Sequence, residues 1–180
     1  MDKITITPLD LDNELKEICS WDKKYGNDPC FKSIRQFILE DNTYYNLSEV
    51  VEFNYERFAI GENERKQILA FKNQNKELIG FLISTIFELD KEPELFMQYI
   101  VIHPLHQHKG YGKQALTELL SNPEKYFGAY PKEIFAFIDS TNTSCLNLSK
   151  RFGFDFSIAS ENGKFYRSEK LMPKKENEKE

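Results

Sequence analysis

Long apolar runs are missing from this chain: no stretch reaches the roughly 20 residues that a membrane-spanning helix needs, and Met1 to Pro8 carries no apolar signal core. Neither membrane insertion nor secretion is expected, and a cytoplasmic location is. Cysteine is scarce. The 3 present, Cys19, Cys30 and Cys145, are odd in number, widely spaced and without a C-x-x-C pair, which argues against both a disulfide framework and a zinc-ribbon site. Low-complexity tracts and internal repeats are also lacking. With 40% hydrophobic and 29% charged residues, the composition is that of a folded domain and not of a disordered chain. A length of 180 residues suits one domain with a core of its own, expected over residues 1–172, with a charged tail free of apolar residues from Pro173 to Glu180.

Net positive charge is lacking too. The formal charge of -5 argues against nucleic-acid binding by the whole surface. Carboxylates are themselves absent from one interval: none lies between Glu94 and Glu118, in a chain with 29 Asp and Glu. That interval holds Lys109, Lys113 and all 3 histidines, so a locally electropositive loop sits inside an acidic protein. The N-terminal third carries an excess of carboxylates, which favours a cationic partner.

What is present is patterned. Ile4-Thr5-Ile6-Thr7 alternates as a short strand ended by Pro8. Asp10 or Asp12 can cap a helix carrying Leu11, Leu15, Ile18 and Cys19 at helical spacing. Asp28-Pro29 opens a second helix with Phe31, Ile34, Phe37 and Ile38, and Asn46 with Glu49 reads as a capping box for a third. From Ile68 the period changes: Ile68 to Phe71, a turn at Asn73-Gln74-Asn75, Leu78 to Phe87 and Glu94 to His103 predict an antiparallel meander. A helix follows from Gly112, ending at Pro123, then a buried strand Glu133 to Asp139. Asn142 opens a helix closed by Gly153, and Phe154 to Ile158 with Lys164 to Leu171 predict a last antiparallel pair.

The meander runs into Ile100-Val101-Ile102-His103-Pro104-Leu105-His106-Gln107-His108-Lys109-Gly110-Tyr111-Gly112-Lys113. A strand, a glycine-bearing loop and a helix start leave backbone N–H groups unpaired and converging, an arrangement that takes an anion. The residue three after Gly112 is Ala115, so the dinucleotide fingerprint is incomplete, and the P-loop Gly-Lys-Ser/Thr is not there. An ordinary turn before a helix fits the same two glycines.

Gln107-His108-Lys109-Gly110-Tyr111-Gly112 closely resembles motif A of the GNAT superfamily of acyl-CoA N-acyltransferases, in which Gln or Arg is followed by two residues, Gly, one residue and Gly or Ala. Downstream, Asn142 to Phe154, reading NTSCLNLSKRFGF, resembles motif B of the same family. The resemblance covers Ile68 to Phe154 well and the N-terminal third in outline. It implies an α+β fold with a mixed, mostly antiparallel sheet of about seven strands, splayed after the central strand and flanked by helices.

By the same resemblance the co-substrate is acetyl-CoA and the reaction is acetyl transfer to a primary amine in a ternary complex, without a metal. Backbone groups of Ile100 and Ile102 would hold the pantetheine arm. Amides of Gln107, His108, Lys109, Gly110, Tyr111 and Gly112, with Lys113, would cradle the pyrophosphate, and Asn142 would contact the co-substrate from motif B. Ser149 stands where many relatives have a tyrosine that protonates the departing thiolate, which leaves the general acid open among Ser149, Tyr166, Tyr126 and Tyr111. Glu94 and Asp139 are the candidates for the base. The acceptor is unassigned, with a cationic amine and a homodimer both compatible. A non-catalytic acyl-CoA sensor or partner-binding module is the alternative that Ser149 keeps open. His103, His106 and His108 suit a phosphate-proximal loop better than a metal site. Cys145 reads as a packed thiol and Trp21, with Tyr25 and the Tyr44-Tyr45 pair, as acceptor-side aromatics.

Overall fold

The fold is taken from a computed structural model that describes residues 3–10, 12–25, 64–89, 92–160 and 162–174. The two predicted helices opening at Asp28 and Asn46 lie outside these residues, as does most of the charged tail. Seven strands form one sheet: β1 (Thr5–Pro8), β2 (Glu64–Lys72), β3 (Leu78–Leu89), β4 (Glu92–Ile102), β5 (Glu133–Asp139), β6 (Asp155–Ile158) and β7 (Phe165–Leu171), in the spatial order β1-β2-β3-β4-β5-β7-β6. Five of the pairings are antiparallel and one, β4 with β5, is parallel. The described helices are α1 (Glu14–Tyr25), α2 (Tyr111–Ser121), α3 (Pro123–Phe127) and α4 (Thr143–Arg151).

Helix α1 starts where the Asp10 carboxylate accepts the N–H of Asn13 at 3.3 Å, while the Glu14 carboxylate accepts the N–H of Asp10 at 2.8 Å. This reciprocal pair satisfies orphan donors at the helix start and selects Asp10 over Asp12 as the cap. The preceding helix ends at Ser121, as Pro123 leads one to expect, and Pro123 also opens α3, where a proline at the first helical position costs no hydrogen bond. The last helix ends as the sequence suggested, with Gly153 at a positive φ of 72° just beyond it.

Two apolar clusters lie on the two faces of the sheet. One gathers Leu95, Met97, Leu82 and Ile134 with Leu116 and Leu119 of α2 and Phe127 of α3. The other gathers Phe81, Ile83 and Val101 with Ile18 and Trp21 of α1. Along β4 the residues packed with α2 run Leu95, Met97, then Ile100 and Ile102, so strict alternation breaks once. The break is a β-bulge. Register against β3 passes from Ser84↔Met97 to Ile83↔Tyr99, leaving Gln98 as the extra residue.

The other irregularity positions the site. The parallel pairing of β4 and β5 holds only at Glu94↔Glu133, Leu95↔Ile134 and Phe96↔Phe135. Beyond Phe96 the strands part, and the sheet opens just where the bulge lies. Leu95 and Ile134, both fully buried, pin the closed end.

Candidate active site

The opening between β4 and β5 is a cavity of about 520 Å³. Its walls come from both sides of the sheet: Ile100 and Ile102 from the face packed on α2, Tyr99 from the face packed on α1. Helices α2 and α4 bring their N-terminal turns to it, with Gly110, Tyr111, Gly112 and Lys113 from the first and Asn142, Ser144 and Cys145 from the second. A cavity that passes through a sheet lets two ligands meet from opposite sides.

The α2 start has the properties of an anion site. Gly110 caps it in the left-handed region at φ 81°, a conformation that disfavours any side chain, and no side chain hydrogen-bonds to the cap. His108 is also left-handed, at φ 58°. Two such residues in three turn successive N–H groups toward one side, where the helix dipole adds partial positive charge. Gly112 has a different reason to be glycine. Its φ is ordinary, and an added Cβ would meet only Leu148 Cδ2 at 3.6 Å and Ile102 Cγ1 at 3.8 Å, which is normal contact. The protein alone does not require glycine there, whereas a ligand pressed against the backbone would. Lys109 and Lys113 are exposed, and neither has a carboxylate partner among the described residues.

Several predicted residues serve the loop in ways the sequence does not display. The Gln107 side chain braces it, Nε2 donating to the carbonyl of Ile102 at 3.1 Å, so that carbonyl is partly spent. Asn142 Oδ1 accepts the N–H of Cys145 at 3.1 Å and thereby caps α4 at the cavity wall. His103 Nδ1 accepts the N–H of Leu105 at 3.2 Å and its ring lies edge-on to Trp21 at 4.6 Å, so it holds the turn at Pro104–His106. No group of metal ligands occurs among the described residues. His106 lines the cavity, and burial, then the Lys109 ammonium, lower its pKa below the ordinary histidine value against a weaker opposing pull from Glu77.

Ser149 is buried and lines the cavity, and its hydroxyl makes no hydrogen bond with the described residues. The other candidates for the acid and base divide. Tyr111 lines the cavity. Tyr126 does not; its hydroxyl donates to Glu118 Oε1 at 2.7 Å, away from the opening. Tyr166 does not either: it pairs with Ile138, one residue after Phe165 and so on the other face of β7, and packs edge-on against Phe156 at 6.5 Å. Glu94 sits at the closed end, paired with Phe87 and Glu133, three residues before the lining begins at Met97, about 10 Å along the strand. Neither side chain lines the cavity: β4 and β5 are still joined at Glu94, and Tyr166 emerges on the other face of β7 from Phe165. Trp21 is 3% exposed in the core against Phe81 and does not line the cavity, while Tyr44 and Tyr45 lie outside the described residues.

Sequence reasoning missed Tyr99. It lines the cavity beside the bulge, and burial pushes its phenol far up, which makes it a weaker acid than a free tyrosine. Only the bulge gives it this orientation, and no residue signals a bulge at Gln98 in advance. Asp139 also lines the cavity.

The model of the acetyltransferase (GNAT) family matches residues 31–154. Among solved structures, the spermidine N-acetyltransferase of Vibrio cholerae in complex with CoA and spermine is similar at 19% identity and a TM-score of 0.63, over 94% of this chain and 96% of that one. The PaiA N-acetyltransferase of Thermoplasma acidophilum in complex with coenzyme A is similar at 19% and 0.60, over 94% and 99%. The ribosomal-protein-S18-alanine N-acetyltransferase of Escherichia coli is similar at 16% and 0.60, over 97% of each chain. No curated protein matches the sequence. At these identities the structural likeness speaks for the fold, and the seven-stranded sheet opened after its central strand is that fold. One family accounts for well over half of the chain, and the chain belongs to it: this is a GNAT acetyltransferase, and hence an acyltransferase.

Proposed function

We propose that the chain transfers an acetyl group from acetyl-CoA to a primary amine by direct attack within a ternary complex. The observation that carries this reading is the cavity through the sheet, with an uncapped, cation-flanked helix start on its wall. The first-turn N–H groups of α2 and the Gln107 to Gly112 loop hold the pyrophosphate, and Lys113 adds charge. Ile100 and Ile102, which have no β5 partner, line the path of the pantetheine arm. Asn142 touches the co-substrate from the α4 side. Neighbours of this fold have been solved with CoA, which supports the same co-substrate here.

The bulge at Gln98 frees main-chain donors of β4 at the middle of the cavity, where an N–H can stabilise the oxyanion that forms on the acetyl carbonyl. The amine attacks in its neutral form. As the C–N bond forms and the C–S bond breaks, the nitrogen gives up one proton and the thiolate takes one. A thiol with a pKa of about 8.5 is a fair leaving group, so strong acid help is not essential. Tyr99, Tyr111 and Ser149, with Ser144 at the α4 start, are hydroxyls on the cavity wall that can supply that proton.

The test is a thermal shift with acetyl-CoA paired with CoA-thiol release across a panel of primary amines. Stabilisation with amine-dependent thiol release is expected. Stabilisation without release would favour the acyl-CoA sensor, and neither response would sink the reading.

A further inference from the structure

Asp139 is the only carboxylate among the described residues that line the cavity. The residue is 4% exposed. Its Oδ1 accepts both the N–H and the hydroxyl of Thr141, at 2.8 and 2.6 Å. Its Oδ2 is buried and has no donor among the described residues. Main-chain contacts hold the residue firmly: its carbonyl accepts the N–H of Asn142 at 2.9 Å, and it pairs with Phe165 of β7. A carboxylate oxygen fixed out of water without a donor is costly to the fold unless a ligand supplies one, and a cation supplies the most.

The surroundings suit a cation with an apolar body. Phe165 stands opposite Asp139 across the β5–β7 pair and Phe137 two residues before it, so all three share one face of the sheet. Tyr99 joins them on the cavity wall. The basic groups of the wall, Lys113 and Arg151, come instead from α2 and α4. The carboxylate with its aromatics and the basic helix ends thus make opposite demands on the two ligands.

We propose that Asp139 Oδ2 binds an ammonium group of the acceptor that does not react, so that the acceptors are slender amines with a second positive charge, of the α,ω-diamine type. The chemistry selects the non-reacting nitrogen. A carboxylate holds its partner in the charged form, and only a neutral nitrogen attacks, so the anchored nitrogen and the acetylated one are different atoms. This inference rests on the acetyl-transfer reading above.

The test compares α,ω-diamines from 1,3-diaminopropane to 1,8-diaminooctane with monoamines of the same length, in the wild type and in Asp139→Asn. Asparagine retains an Oδ1 for Thr141, so the loop keeps its bonds. At the best chain length the wild type should show a KM about tenfold or more lower for the diamine than for the monoamine. Asp139→Asn should raise the diamine KM to the monoamine level, with kcat within about threefold and KM for acetyl-CoA unchanged. No wild-type preference at any length, or a preference that survives the substitution, overturns the proposal. A collapse of kcat at unchanged diamine KM also overturns it, since Asp139 would then be taking the proton. Should the wild type acetylate none of these amines, the transfer reading fails and calorimetry with the diamines in the presence of CoA decides the anchor separately. Diamine binding lost in Asp139→Asn supports it, and no diamine binding to the wild type overturns it.

Discussion

By its resemblance to motif B, Ser149 stands where a tyrosine would be expected, and it lines the cavity with a shorter hydroxyl. If proton delivery to the thiolate limits turnover, Ser149→Tyr raises kcat severalfold with little change in acetyl-CoA affinity, and steady-state kinetics read the two separately. A flat or lower kcat would assign the proton to Tyr99 or Tyr111, or the slow step to something else. His106 offers a second reading at this scale. Burial and Lys109 depress its pKa in the free protein, so the neutral ring is favoured there. Its contribution to stability is accordingly present above the ordinary value of 6.5 and lost as the pH falls through its folded value. A bound pyrophosphate adds negative charge to the same wall and favours the imidazolium. An NMR titration of His106 should therefore show its pKa rising when acetyl-CoA binds, and an unmoved or falling value would place the phosphates elsewhere.

The elements that matter most are β4 and β5, joined for three residues and then apart. Leu95 and Ile134 make the joint, and Leu95→Ala should cost about 2–5 kcal/mol of folding stability, measured by denaturant unfolding. A cost below about 1 kcal/mol would mean that the closed end is not the structural anchor it appears from burial. Much of this scale was legible in the sequence. Glu133 to Asp139 matches β5 residue for residue, Asn142 caps α4, Gly153 follows its end, and the glycine loop leads into α2. Three things were not legible, each for a physical reason. Pro123 reads equally as a stop or as the first residue of a new helix, and only the chain beyond decides. The bulge at Gln98 is a property of two strands in register, and it alone turns Tyr99 to the cavity. Whether Glu94 and Tyr166 line the cavity depends on where β4 and β5 part and on which face β7 shows, and neither is encoded locally.

Taken whole, the chain is an acidic protein with a positively charged helix start, that of α2, opening onto a cavity in its sheet. That distribution favours an anionic co-substrate at α2 and a cationic acceptor drawn to the rest of the surface. The central claim is that the α2 backbone itself meets the co-substrate, and Gly112 tests it. An added methyl group fits the free protein there, and alanine exceeds glycine in helix propensity by up to about 1 kcal/mol, so Gly112→Ala should melt no lower than the wild type. Isothermal titration with acetyl-CoA should nonetheless find the variant's affinity about tenfold or more weaker. An unchanged affinity in that folded variant would contradict the account.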